Sequence, residues 1–286
     1  MHRALVGLMA AAAGFAGAAR ADPPPSPDKS AYSLFNPTPA SALRSLCTDR
    51  PTKGNGPCSV DAGHWQIESD IYNVTFQHAG GIATTTELFT NPTLKLGITD
   101  TLDLEVAISP YERVTARAAG VTTTASGAGD LFLIAKLNLV GDDGGNLAVA
   151  LNPWVKIPTA GRVIGNGAVE AGMIVPAQYD LPGGLQIYAD PELDVLENAA
   201  GGGQHPNLIN DFGLSAPASR TVTLFGEVWT DADFDPAGPV TQVSADVAAA
   251  WIPASMPNLQ LDGGVNLGLD QATPGAQVYV GVSRRF

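Results

Sequence analysis

The sequence predicts an all-β protein, a closed antiparallel transmembrane β-barrel of about twelve strands. Three observations predict it. Apolar residues recur with period 2 in long runs, short connections alternate with longer ones, and charged residues keep to one side of that alternation.

The runs begin near Ala62. Leu259, Leu261, Val265, Leu267 and Leu269 alternate with Gln260, Asp262 and Asn266. Leu102, Leu104, Val106 and Ile108 alternate with Asp103, Glu105 and Ser109, and Leu185, Ile187, Leu193 and Val195 with Gln186, Asp190, Glu192 and Asp194. In order, the runs fall near 62–78, 84–98, 101–115, 128–140, 146–157, 168–179, 185–196, 207–216, 221–230, 240–252, 258–269 and 276–286. Most reach the roughly 9 to 11 residues that a tilted strand needs to cross a bilayer, well beyond the average of about 5 to 6 in soluble proteins.

The connections at 99–100, 141–145, 180–184, 217–220 and 253–257 are short. Those at 116–127, 158–167, 197–206 and 231–239 read as longer loops, with modest ones at 79–83 and 270–275. Bacterial outer-membrane barrels alternate short periplasmic turns with longer external loops, which puts both termini on the periplasmic side.

Charge placement follows from the cost of a lysine or arginine in hydrocarbon, about 2 to 4 kcal/mol at mid-bilayer in a barrel. The apolar register carries charge only near strand ends, at Glu197 and Arg284. The opposite register carries the candidate lumen and transport-path residues Glu68, Asp70, Lys95, Asp103, Glu105, Lys136, Lys156, Glu170, Asp190, Glu192, Glu227 and Asp262, together with Glu87, Asp130, Asp194, Asp211 and Asp246. This face reads as a wet, acidic interior. Carboxylate rings there would favour cations; the alternative is a largely filled barrel whose inward charges bond to the lysines, backbone and water. A soluble sandwich would instead bury the leucines and valines between two sheets.

Residues 1–21 read as a signal peptide: His2 and Arg3, an apolar stretch from Ala4 to Ala18, then Ala19-Arg20-Ala21, with the mature chain starting at Asp22. Removing Arg3 and Arg20 takes the net charge from −13 to −15, with 28 acids against 13 bases. That balance argues against nucleic acid as a partner. Cys47 and Cys58 are the two cysteines, and in an exported chain they read as a disulfide. The Pro-rich segment 22–60 lacks alternation and reads as a periplasmic arm or as a partial plug entering the barrel, the arm being favoured for 22–34. A short helix fits Pro39 to Leu46.

Other motifs carry less. Asp231-Ala-Asp-Phe-Asp235 begins like a calcium loop, but Pro236 and Gln242 stand where that loop needs Gly and Glu, so it reads as a solvated acidic loop. His64, His78 and His205 show no Ser-His arrangement that would mark an enzyme. His64 is expected at the periplasmic rim and His205 in an external loop. No metal or cofactor is implied. Trp65, Trp154, Trp229 and Trp251 suit either an aromatic girdle or a lumen lining.

The last strand, Ala276 to Phe286, alternates and ends in Phe286, like the C-terminal signal read by the barrel assembly machinery. More widely, the chain resembles the outer-membrane transporter family named for a MetA pathway of phenol degradation. The likeness rests on Phe35-Asn-Pro-Thr-Pro39, Thr48-Asp-Arg-Pro51, Val60 to Glu68, Gly97-Ile-Thr-Asp100, Gly127-Ala-Gly-Asp130, Leu261 to Leu269 and Val278 to Phe286, in that order over nearly all of the mature chain. The resemblance implies residence in the outer membrane of a Gram-negative bacterium, among its lipid and lipopolysaccharide, and passage of small molecules, aromatic ones by the family's name. It supplies no catalytic residue. The competing class is a structural or interaction barrel with a plugged lumen and function in its loops.

Overall fold

The computed structural model describes residues 28–286; the signal-peptide reading of 1–21 and the start of the Pro-rich segment lie outside them. Sixteen strand segments form one antiparallel sheet: β1 Trp65–Ala79, β2 Ile82–Leu88, β3 Thr93–Gly97, β4 Leu102–Ile108, β5 Glu112–Ala118, β6 Val121–Gly127, β7 Leu131–Val140, β8 Leu147–Ile157, β9 Glu170–Ile174, β10 Ala177–Asp180, β11 Gln186–Glu197, β12 Gln204–Pro217, β13 Val222–Asp233, β14 Val240–Trp251, β15 Leu259–Gly268 and β16 Ala276–Arg285. Pairing of β1 with β16 closes the sheet, so the barrel wall has no free edge where lipid would penalise one. Counting β2 with β3, β4 with β5, β6 with β7 and β9 with β10 as single staves gives a twelve-strand barrel. At about 3.3 Å per residue and a tilt near 45°, staves of ten to twelve residues such as β7, β11 and β14 cross about 25 Å, the height of an apolar band.

Burial is inverted relative to a soluble protein. Phe212 and Val247 are 55% and 61% exposed, whereas Asp103 and Lys136 are 0% and 1%. Leu104, Leu133, Ile187, Leu208, Leu224, Leu261 and Val280 likewise face outward, so leucines and valines cover the outside and charges line the inside. Among the described residues no pair of stacked sheets encloses them.

Two parts differ from the sequence reading. The stretch 116–127 is the β5–β6 hairpin, turning at Ala119 and Gly120, where both residues take positive φ. Three neighbouring staves break together, at Phe89 to Pro92, at Ser109 to Tyr111 and at Ala128 to Asp130. Above these breaks the faces exchange polarity. Glu87 pairs across the strand with outward-facing Val74 and is therefore outward, where Arg113 and Tyr72 bind it, and Arg117 shares that face. Leu88 and Val114 point the other way. Beyond the apolar band the outer surface meets water and headgroups, so lipid no longer selects apolar side chains there. The run of threonines at 122–124 lacks the alternation of a lipid-facing strand for the same reason, and it reads as loop on a period-2 criterion. At this level β6 has β5 as its strand neighbour, and Gly127 approaches Ile164 of the following loop.

Candidate functional site: a charged lumen and the loop that fills it

The chain enters the barrel from the end of its short turns. Leu34 N donates to the Ile98 carbonyl and Thr38 N to that of Ala62. A single 3-10 turn, Ala40–Ala42, takes the place of the helix expected over Pro39 to Leu46; Pro39 and Leu43 on either side are extended. An ion-pair cluster then fixes the segment to the β7–β8 turn. Arg44 grips Asp143 through Nε and Nη2, each at 2.9 Å, Lys29 reaches Asp143 at 2.8 Å, and Asp61 accepts from Arg285 at 2.9 Å. Burial works against the Asp143 charge, but Arg44 and Lys29 outweigh it and hold this carboxyl below its ordinary value.

Residues 44–60 lie inside the barrel, so the partial plug, not the arm, is realised there. Cys47 and Cys58 form a disulfide, with Cα atoms 6.5 Å apart and a separation of 11 positions in sequence. The loop they close presents three charges to the wall. Asp49 bonds to Lys95 and, at 2.6 Å, to Lys136. Arg50 reaches Asp70 at 2.6 Å and Asp262 at 2.7 Å, lying flat on Gly281, where a Cβ would be 2.0 Å from its Nη2. Lys53 donates to Ser244 Oγ at 2.7 Å, lies 3.5 Å from Asp246, and sits 4.0 Å above the Trp229 ring. Backbone groups add to this: Gly54 N donates to Asp211 at 3.1 Å, Val60 N to Asp103 at 2.8 Å, and the Tyr279 hydroxyl to the Pro51 carbonyl at 2.6 Å.

The candidate residues fall into four groups, the first being Asp70 and Asp262, which Arg50 bridges. Lys95 and Lys136 bind Glu68, Glu105 and Asp49 in one network on the wall of β1, β3, β4 and β7, with Asp103 alongside. Lys156 pairs with Glu170 at 2.5 Å, nearer the long loops. Asp190 faces Asp211 directly across β11 and β12, and Glu227 faces Asp246 across β13 and β14. This last wall has one close basic partner, Lys53. Glu192 accepts from Trp154 Nε1 at 2.7 Å, and Tyr188 donates to Glu227 at 3.1 Å. Asp262 is taken by Arg50.

The sequence left the tryptophans open, and they divide: Trp65 and Trp251 are outward near strand ends, while Trp154 and Trp229 line the lumen. Periodicity could not identify Arg50 and Lys53 as lumen residues, because they lie in the unpatterned segment. The signal available was basic residues flanking a Pro, between two cysteines, in an exported acidic chain. His205 is on β12 and buried, not in a loop; its Nε2 lies 2.9 Å from Asp233 and its Nδ1 3.0 Å from Asn198. Asp235 accepts from the backbone of Ala237 in its own loop and of Ala199 in the β11–β12 loop, so the acidic stretch from Asp231 organises its loop and ties it to the neighbouring one. His64 sits between the Thr38 and Phe286 carbonyls. Phe286 exchanges backbone hydrogen bonds with Trp65, tying the chain end to the first strand.

Solved structures share the architecture. The COG4313 outer membrane channel from Pseudomonas putida F1 is 16% identical, with a TM-score of 0.57, 78% of this chain and 95% of that one being covered. The NanC porin is 10% identical, with a TM-score of 0.48 over 77% of this chain and 98% of its own. The translocator domain of autotransporter NalP from Neisseria meningitidis is 15% identical, at 0.47 over 78% and 88%. The first of these likenesses shows the fold, an outer-membrane barrel. Among curated proteins none matches. The family described as "Putative MetA-pathway of phenol degradation" matches residues 48–286, from the plug loop to the final Phe286, and the chain belongs to that family.

Proposed function

We propose that this barrel is an outer-membrane channel for passive passage of small molecules, aromatic compounds among them, along an acidic lumen that the 44–60 segment narrows. The observation that carries this reading is how the segment is held. It adds no strand to the wall; it stands on ion pairs and side-chain hydrogen bonds, from Asp49, Arg50 and Lys53 to residues on five different strands. Such contacts can exchange for water and solute without breaking the barrel's own hydrogen-bond ladder. Family membership supports aromatic solutes. Phe286 directly follows the closing strand β16 and pairs through its backbone with Trp65, which supports recognition by the barrel assembly machinery.

The filled lumen equally favours a second reading, a plugged barrel whose function lies in its loops. Purified full-length protein in planar bilayers separates the two. Steady single-channel openings, with swelling of liposomes in phenolic solutes faster than in aliphatic ones of equal size, are expected for the channel. A silent bilayer containing folded, heat-modifiable protein would reject it.

A further inference from the structure

The Lys53 ammonium is the one cation set against an aromatic face in the acidic wall. Trp229 is the direct cross-strand partner of Asp211 on one side and of Ser244 on the other, and all three point inward. Glu227 and Asp246 stand one inward position nearer the short-turn end. Around the ammonium, the Trp229 ring is at 4.0 Å, Ser244 Oγ at 2.7 Å and Asp246 Oδ2 at 3.5 Å. This combination of ring face, hydroxyl and carboxylate is how proteins hold organic ammonium ions. Asp211 and Asp246 are 1% and 2% exposed, and Oδ1 of each accepts no hydrogen bond, so the wall can bond to more than the lysine gives it. Among the described residues no group of His, Cys, Asp and Glu has metal-holding geometry, which points away from a bare metal ion.

Space lies on both sides of this contact. One cavity of about 270 Å³ is bounded by Lys53, Ile174, Asp190, Asp211 and Trp229, and another of about 280 Å³ by Lys53, Trp229, Ser244 and Thr75. Lys53 and Trp229 border both. With the lysine withdrawn, the two are positioned to join into one chamber in the size range of small-molecule sites.

We propose that the lumen wall around Trp229, Ser244 and Asp246 is a binding site for alkylammonium ions, and that the Lys53 side chain occupies it in cis as a tethered ligand. The proposal rests on the reading of the lumen as a solute path and names a solute class for it. The lysine stem is a butylammonium, so n-butylammonium is the probe, titrated calorimetrically into detergent-solubilised full-length protein at constant ionic strength. Lys53→Met should bind it at least about tenfold more tightly than wild type, because the tethered competitor is gone. Lys53→Gln should behave alike, and adding Trp229→Leu to Lys53→Met should remove the gain. Equal affinity in wild type and both Lys53 variants would overturn the proposal. So would a gain that survives Trp229→Leu, since that would be attraction to carboxylates at large. Bilayer recordings of the same proteins keep the two readings apart: silent proteins that still show the Lys53-dependent binding reject the channel but not the site, and conducting proteins without it reject the site alone.

Discussion

Gly213 and Tyr188 show what single positions contribute to this barrel. The Tyr188 ring lies across the β11–β12 ladder on the Gly213 backbone, where a Cβ would be 2.0 Å from Cζ, and this places its hydroxyl 3.1 Å from Glu227. Gly213→Val should therefore push the ring off and destabilise the barrel by about 1 to 3 kcal/mol, the usual cost of overpacking. The measurement is the denaturant midpoint in detergent, and Tyr188→Ala placed in the same chain should restore part of the loss. A Gly213→Val protein with the wild-type midpoint would show that the ring does not depend on this notch. None of this is legible in the sequence. Inward charges announce themselves by alternating with leucines, but the need for glycine at positions 172, 213, 264 and 281 comes from a large side chain on another strand or on the plug, which no local pattern encodes.

At the scale of elements, the staves were legible, while the plug was legible only as one of two alternatives for the Pro-rich segment and its contacts were not. Lipid imposes period 2 on every lipid-facing strand, so runs such as 185–196 and 240–252 fall within a residue or so of β11 and β14. The plug meets no repeating environment: Asp49, Arg50 and Lys53 each answer a different partner. What orders it is the cross-link between Cys47 and Cys58, which for so short a loop is worth roughly 3 kcal/mol in the chain-entropy picture. Opening that bond, by reductant or by Cys47→Ser with Cys58→Ser, should leave the barrel folded and heat-modifiable while freeing the loop that carries all three charges. We expect larger or more frequent openings in planar bilayers. Identical current histograms with and without the bond would mean that the ion pairs alone set the loop's position.

For the whole molecule, the division of lumen charge into a compensated and an uncompensated wall predicts two different responses to the same kind of substitution. Asp103 and Glu105 share the wall of Lys95 and Lys136, both nearly fully buried. Asp103→Asn with Glu105→Gln leaves those lysines with Asp49 and Glu68 as their remaining acidic partners. Breaking a buried pair from one side is costly, about 3 to 5 kcal/mol, so this variant should lose stability first. Asp190 and Glu192 stand on the other wall, where Asp190 faces Asp211 across the ladder and Glu192 lies on the same face of β11 between Asp190 and Asp194. Asp190→Asn with Glu192→Gln relieves repulsion and should keep or raise the unfolding midpoint. Its effect should appear in selectivity, since a lumen dominated by carboxylates concentrates cations. Under a salt gradient the reversal potential of the conducting protein should move toward zero in the Asp190/Glu192 variant. If it stays at the wild-type value while the fold is intact, the acidic wall does not select the permeating ion, and these carboxylates serve only to seat the plug tip at Gly54.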